Sequence, residues 1–140
     1  MRRLGAEEID AVIARQGVGV LALSKDGVPY ALPMSYGYDP DRATFFVMFG
    51  ADGRKTDYVD ANDVASLAVV EREDPTWRSI LVRGAIEPVP KPRERRALAG
   101  FATTATFPAD LEVWGDRLQE TELELYELDV EEVSGRAFEP

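Results

Sequence analysis

A glycine-rich turn with two adjacent cations is the part of this sequence best suited to chemistry. It spans Gly50–Thr56 (GADGRKT) and directly follows an apolar, strand-like run. The chain has a formal net charge of -10 and only three lysines, so the pair Arg54 and Lys55 stands out. At the start of a helix, backbone N–H groups and the helix dipole favour an anion, and these side chains would add full charges. The turn therefore predicts a phosphate-binding site; a solvated surface pair is the alternative.

The absence of two residue types excludes more than any motif does. The sequence contains neither cysteine nor histidine. This excludes disulfides, thiolate or histidine metal sites, cysteine nucleophiles, histidine bases and a histidine ligand for haem. Carboxylate metal sites and the chemistry of an organic cofactor remain. Glu71, Glu73 and Asp74 could bind a cation, but their loop lacks metal-ligand spacing, so no metal is predicted.

The overall composition indicates one soluble, cytoplasmic domain over residues 1–140. The chain is 45% apolar, which suffices for a core, and it contains no apolar run long enough for a membrane span or a signal peptide. An evenly acidic, lysine-poor surface favours a halophilic origin, because high salt screens self-repulsion. The same charge argues against nucleic-acid binding, which needs a basic face.

The alternation of apolar runs and turns predicts a small antiparallel barrel with few helices. A tight turn is expected at Lys25-Asp26-Gly27, and a polar loop at residues 71–75. Gly84 is expected at a bend or bulge. Leu123 and Leu125 are out of phase with Leu128 and Val130, which predicts another bulge near Tyr126. Strands are predicted at 18–24, 28–38, 43–49, 64–70, 77–87 and 121–138, and helices at 6–16, 56–61 and 93–102, with 103–114 unassigned.

The order of these motifs resembles the pyridoxamine 5′-phosphate oxidase-like family, the flavin-binding split barrels. The resemblance covers roughly residues 9–89 and, more loosely, the rest. It is carried by Asp26–Tyr30 and Pro33–Tyr36 on the second strand, Gly53–Lys55 after the third, and Trp77–Gly84 on the fifth.

The resemblance implies a six-stranded antiparallel split β-barrel of Greek-key type. It also implies FMN at the interface of a homodimer, with a small-molecule substrate. Arg54 and Lys55, with Thr56 beside them, match the family's grip on the flavin phosphate. The other positions that match cofactor contacts lie on three strands: Leu32, Pro33, Met34, Ser35 and Tyr36 on the second, Met48 and Phe49 on the third, and Ser79 on the fifth.

The chemistry of these residues agrees with the resemblance. Arg54 offers a planar fork and Lys55 a compact ammonium to a phosphate. Pro33 lacks an N–H and is expected to interrupt the strand ladder, so that neighbouring backbone groups could face a ligand. Ser79 can donate to a phosphate or a ribityl hydroxyl. The alternatives are that Pro33 merely marks an edge strand and that Ser79 faces solvent.

Two departures from the family narrow the expected activity. The chain lacks the histidine and the arginine-rich terminus of true pyridoxamine phosphate oxidases, which argues against vitamin B6 oxidation. It also has Met48 near the position where nitroimidazole reductase-like relatives often carry histidine. The expected function is an FMN-dependent oxidoreductase acting on an unidentified small molecule, with Tyr36 as the candidate for proton delivery. The alternatives are a deazaflavin-dependent reductase, a flavin-binding or storage module without turnover, and a barrel without flavin.

Overall fold

The computed structural model describes residues 1–50, 54–60, 63–104 and 123–140, with the side chains of 54–56, 103, 104 and 123 left out. The helices are α1 (Ala6–Gln16), α2 (Arg54–Asp60) and α3 (Glu94–Thr104), with a 3₁₀ turn at Lys91–Arg93. The strands are β1 (Arg2–Arg3), β2 (Val18–Lys25), β3 (Val28–Ser35), β4 (Gly37–Asp39), β5 (Thr44–Gly50), β6 (Val64–Glu73), β7 (Thr76–Pro88) and β8 (Leu123–Phe138).

The described strands form one curled antiparallel sheet. Its order is β3-β2-β6-β7-β8-β5-β4, and β1 adds to β8, which gives eight strands instead of the six predicted. The two additional strands are the short β1 and β4. Strands β6, β7 and β8 are neighbours, and β5 lies beside β8, which is the Greek-key order. The predicted fold class, a mostly β split barrel with peripheral helices, is confirmed.

The two end strands of this sheet are consecutive in the chain. β3 ends at Ser35 and β4 begins at Gly37, so the chain crosses from one end of the sheet to the other at Tyr36. Among the described strands, β3 pairs only with β2, and β4 only with β5. We call the gap between the free edge of β3 and the β4–β5 edge the split.

Helix α1 has the predicted bounds. The Gly5 N–H donates to Glu8 Oε1 at 3.3 Å at its start, and Gly17 ends it with a φ of 69°. Left-handed φ values suit glycine and stop a helix. Ile9, Val12 and Ile13 are buried against the barrel. The longest described α-helices, α1 and α3, have 11 residues, too few to cross a lipid bilayer.

The hairpin between β2 and β3 is tighter than the predicted turn. Asp26 and Gly27 have φ angles of 52° and 78°, typical of a two-residue type I′ turn. The ladder then runs unbroken to the Val18–Ser35 pair, through Pro33 opposite Val20. The prediction that Pro33 interrupts the ladder is therefore wrong. An edge strand tolerates proline where its missing N–H would face away from the partner strand.

The bulge predicted near Tyr126 is also wrong, because β8 pairs with β5 and β7 in unbroken register at that residue. The two apolar phases arise because β8 is covered on both sides there. Leu125 packs outside the barrel against a cluster formed by Phe46, Val89, Ala97 and Phe101, whereas Tyr126 and Leu128 lie inside the barrel.

The expected irregularity at Gly84 is confirmed. Arg83 pairs with Glu132 but Gly84 pairs with Val130, so Glu131 is the extra residue on β8. A Cβ atom at Gly84 would lie 1.8 Å from the carbonyl oxygen of Asp129, which only glycine avoids.

The predicted polar loop at residues 71–75 is largely strand, since β6 runs to Glu73. Glu71 continues the inward-facing phase of Leu67 and Val69 and is only 6% exposed. It accepts hydrogen bonds from Arg15 at 2.8 and 2.9 Å and from Arg78 at 2.9 Å. Gln16 adds a third donor, at 3.0 Å. These groups lower the pKa of Glu71 to about 2 and tie α1 to the β6–β7 hairpin.

We expect Glu71→Gln to lower the free energy of unfolding by about 2 kcal/mol at neutral pH, because charge-assisted hydrogen bonds to two arginines are lost. The folded-state pKa lies below the usual 4.5, so this contribution is present above pH 4.5 and lost as the pH falls towards 2. Urea denaturation of both proteins at pH 7 and pH 3 measures it. Glu73→Gln is the matched control, because Glu73 is exposed and pairs only at 3.2 Å. Equal stability of Glu71→Gln and wild type at pH 7 would contradict this.

Candidate functional site

The β3 residues predicted to contact a cofactor face opposite sides of the strand. The side chains of Leu32, Met34 and Tyr36 point into the barrel core and are 6%, 9% and 0% exposed. Pro33 is exposed and Ser35 is half-buried. Because side chains alternate along a strand, the first three can offer a ligand outside the barrel only their backbone.

Tyr36 is a structural residue of the barrel closure. Its hydroxyl donates to the Ile13 carbonyl oxygen and accepts from the Gly17 N–H at 3.2 Å. Burial raises the pKa of Tyr36 to about 12. The Tyr36 hydroxyl is buried and already both donates and accepts a hydrogen bond. It therefore does not fit the proton delivery considered for this residue.

The backbone of β3 presents an edge to the split. The Tyr36 N–H donates to the Gly17 carbonyl oxygen at 3.0 Å, so even-numbered N–H positions face β2. The odd-numbered positions of Ala31 and Pro33 therefore face the other way. That backbone groups beside Pro33 could meet a ligand stays a prediction. Its basis is now the unpaired edge of β3 and not an interrupted ladder.

The side chains of Met48 and Phe49 point to opposite sides of β5. Phe49 is buried in the core, edge-on to Tyr126 with ring centroids 5.4 Å apart. Met48 faces outward into a cavity of about 470 Å³ between the sheet and α3. This volume lies in the range of small-molecule sites. The lining includes Met48, Val89, Glu94, Leu98, Glu124 and Leu125.

Helix α2 bridges the split. It contacts both β2 and β5 and begins at Arg54, two residues before the predicted start. Tyr58 stacks on Tyr30 of β3 at a centroid distance of 4.7 Å. Asp60 accepts a hydrogen bond from the Tyr126 hydroxyl at 2.7 Å. The same hydroxyl also lies 3.0 Å from Glu124 Oε2, and burial together with these two carboxylates raises the pKa of Tyr126.

The predicted phosphate grip forms the first turn of α2. Arg54, Lys55 and Thr56 belong to that turn, but their side chains lie outside the described part of the structure. The backbone places the turn beside the split, just after β5. Residues 51–53 of the glycine-rich turn also lie outside the described residues.

Ser79 lies on the outer face of β7, paired with Val70 of β6 and Arg136 of β8. The same face is apolar and open. A continuous row runs from Val20 through Ala68 to Leu81 across three strands. We call this surface the outer patch; its large side chains, 40–53% exposed, are Val18, Val20, Val70, Trp77 and Leu81.

One chain brings the predicted residues to two open places rather than to one closed pocket. Ser35 and Ser79 share the outer face in the same row, but β2 and β6 lie between them, so they are about 14 Å apart. Met48 lines the cavity between the sheet and α3, and the start of α2 lies beside the split. Within the described residues, no set of these side chains encloses a flavin-sized ligand.

Two buried carboxylates were not found from the sequence. Glu71 could have been recognised because it continues the alternation of Leu67 and Val69. Glu127 is fully buried beside Arg93, although it reads as one more charge in an acidic strand. The cation role considered for Glu71, Glu73 and Asp74 does not fit, because both oxygens of Glu71 already accept hydrogen bonds and arginines pair with the other two carboxylates.

Comparison with known proteins identifies related sequences and structures. A curated relative, an uncharacterized protein of Rhizobium meliloti (strain 1021), is 30% identical over 91 residues, which are 64% of this chain and 58% of the relative. A FAD-binding protein from Mesorhizobium loti has a TM-score of 0.78 at 28% identity, covering 99% of this chain and 97% of that one.

Two other solved structures share the fold at lower identity. A FAD-binding protein from Mycobacterium smegmatis has a TM-score of 0.71 at 16% identity, covering 99% of this chain and all (100%) of that one. A heme-binding protein from the same organism has a TM-score of 0.75 at 21% identity, covering 97% and 55%. The sequence model of the Pyridoxamine 5'-phosphate oxidase family matches residues 5–137. This chain therefore belongs to the pyridoxamine 5'-phosphate oxidase family.

Proposed function

We propose that this protein is a flavoprotein that binds FMN between two copies of the chain and acts as an oxidoreductase on a small molecule. The observation that carries the proposal is the likeness to the Mesorhizobium loti FAD-binding protein, at 28% identity over almost the whole of both chains. The geometry of the split, with a bare strand edge on one side and the start of α2 beside it, supports the same conclusion.

The phosphate end of the flavin would lie at the first turn of α2. Arg54 and Lys55 supply two adjacent charges in a chain of net charge -10. Thr56 adds a hydroxyl. We favour FMN over FAD because this cluster suits a terminal phosphate dianion, which FMN carries and FAD does not.

The ring of the flavin needs a flat apolar surface and backbone groups at its polar edge. The outward-facing backbone of Ala31 and Pro33 offers such groups, and Met48 offers an apolar surface by the cavity. Leu32 and Met34 fix the strand from inside by packing in the core.

A second copy of the chain would cover the outer patch. Val18, Val20 and Leu81 are large apolar side chains that are 40%, 43% and 52% exposed in one contiguous area. Such a surface on a small domain marks an interface. Ser35 and Ser79 lie on this face, so a partner docked there would add its own groups to each flavin site.

When bound, flavin supplies hydride and single-electron transfer, which the side chains of this chain cannot supply. The protein's part is to hold and orient the cofactor and to exclude water from its ring. Histidine is absent from the sequence, so the histidine ligation that haem takes in many proteins is not available. Deazaflavin and a storage role without turnover remain the competing functions.

The phosphate grip is tested by Arg54→Ala with Lys55→Ala. Each charged hydrogen bond is worth roughly 1.5–3 kcal/mol, so we expect FMN affinity to fall at least a hundredfold. Titration of the apoprotein with FMN, followed by flavin fluorescence, measures the affinity. The matched control is Lys25→Ala with Arg95→Ala, which removes the same charge from exposed positions elsewhere.

Wild-type affinity in the double variant would refute the grip. Tighter binding of FAD or a deazaflavin than of FMN in the same titration would refute the choice of cofactor. A purified protein that binds none of the three would refute the flavoprotein proposal itself. Reduction of the bound flavin by NADH or NADPH would support an enzyme over a storage protein.

The dimer is tested by Val20→Glu in the centre of the outer patch. We expect light scattering to change from a dimeric to a monomeric mass, and FMN affinity to fall with it, because a buried unpaired carboxylate opposes association. The control is Val28→Glu, since Val28 is 54% exposed at the β2–β3 turn, outside the patch. A dimeric Val20→Glu protein, or a monomeric wild type, would contradict the proposed interface.

A further inference from the structure

Three carboxylates converge on the outer side of β7 and β8. One oxygen from each of Glu87, Glu127 and Asp129 lies within 4.8 Å of the others. The register explains this convergence, because Glu87 pairs directly with Glu127 and Asp129 lies two residues further along β8 on the same face. Like charges directly opposite each other destabilise a sheet, so the fold needs something to offset them.

Glu127 is the least compensated of the three. Its side chain is completely buried, and Arg93 donates to Oε1. Its Oε2 is buried without a hydrogen-bond partner in the described part of the protein. A buried carboxyl oxygen without a partner is costly, and most such groups in proteins are satisfied by another group, water or an ion.

The contrast with Glu71 makes this deficit clear. Glu71 has two arginines and an amide as donors, which satisfy both of its oxygens. Glu127 has one arginine and two neighbouring carboxylates, and Arg42 is near enough only to act on it electrostatically. The Asp129 Oδ1 accepts from the Thr44 hydroxyl at 2.8 Å, which fixes that carboxylate in place.

We propose that Glu87, Glu127 and Asp129 bind one hard divalent cation, with Ca²⁺ preferred over Mg²⁺. Carboxylate oxygens are the ligands of hard cations, and Ca²⁺–oxygen bonds of about 2.3–2.6 Å place opposite ligands about 4.6–5.2 Å apart. Three equally spaced oxygens around one Ca²⁺ ion are at most about 4.5 Å apart. The three oxygens here lie within 4.8 Å of one another, so movements of a few tenths of an ångström would let them share the ion. Mg²⁺, with bonds of about 2.0–2.1 Å, would require the three carboxylates to move closer together.

The cation would bridge β7 and β8, which are neighbours in the sheet although many residues separate them in the sequence. It would neutralise the opposed carboxylates of Glu87 and Glu127 across β7 and β8. This role does not depend on flavin, since none of the three carboxylates belongs to the proposed cofactor contacts.

Isothermal titration calorimetry of the chelator-treated, purified protein with CaCl₂ tests the site at constant ionic strength. We expect one ion per chain with a Kd of about 1 mM or tighter, weaker binding of MgCl₂, and a higher Tm in Ca²⁺. Glu87→Gln should weaken binding at least tenfold. Glu87 is exposed, so this variant should fold, whereas Glu127→Gln would also break the pair with Arg93.

The matched control is Glu131→Gln, an exposed carboxylate on the same strand outside the cluster. It should bind Ca²⁺ as wild type does. The proposal is overturned by absent saturable binding, by equal loss in both variants, which would indicate a diffuse acidic surface, or by tighter binding of Mg²⁺ than Ca²⁺. Because the readouts are heat and Tm, failure here leaves the test of FMN binding unaffected.

Discussion

The closure of the barrel at Tyr36 is the constraint on which the rest of the structure depends. The first and last strands in the order of the long sheet, β3 and β4, are consecutive in the chain, so they close the barrel through the covalent backbone rather than through a ladder. The Tyr36 hydroxyl, bonded to Ile13 and Gly17, holds this crossing against the end of α1. Away from the crossing the edges separate, and α2 bridges them. A bare strand edge is normally covered in proteins, and in our proposal the flavin covers this one.

Because side chains alternate along a strand, each strand beside the split has one set of side chains in the core and another set facing outward. On β3 and β5, the side chains of Leu32, Met34 and Phe49 are buried in the core. Those of Pro33 and Met48 face outward. A substitution at a core position would therefore affect a ligand only through the strand's position. The sequence motifs do not distinguish these two groups, whereas the structure separates the outward-facing side chains from those buried in the core.

Much of the fold could be predicted because it depends on local signals. The sequence correctly predicted the apolar period of α1, the end of α1 at Gly17 and an irregularity at Gly84. The errors came where tertiary context decides. Glu71 looks like loop but is buried because two arginines from other elements reach it, and the phase change around Tyr126 reflects burial on both faces of β8 rather than a slip. The side on which each β3 residue lies required the register with β2, which no motif states.

The two buried carboxylates show how an acidic chain uses its few cations. Arginines in this protein are largely engaged in pairs with its own acids, such as Arg15 with Glu71 and Arg93 with Glu127. The net charge of -10 therefore acts at long range against any anionic ligand. A phosphate can be held only by short-range contacts strong enough to overcome that field, which favours a compact cluster at a helix start over a broad basic surface. Salt would screen the repulsion more than the local contacts, so the acidity of the surface and the recognition of an anion are compatible.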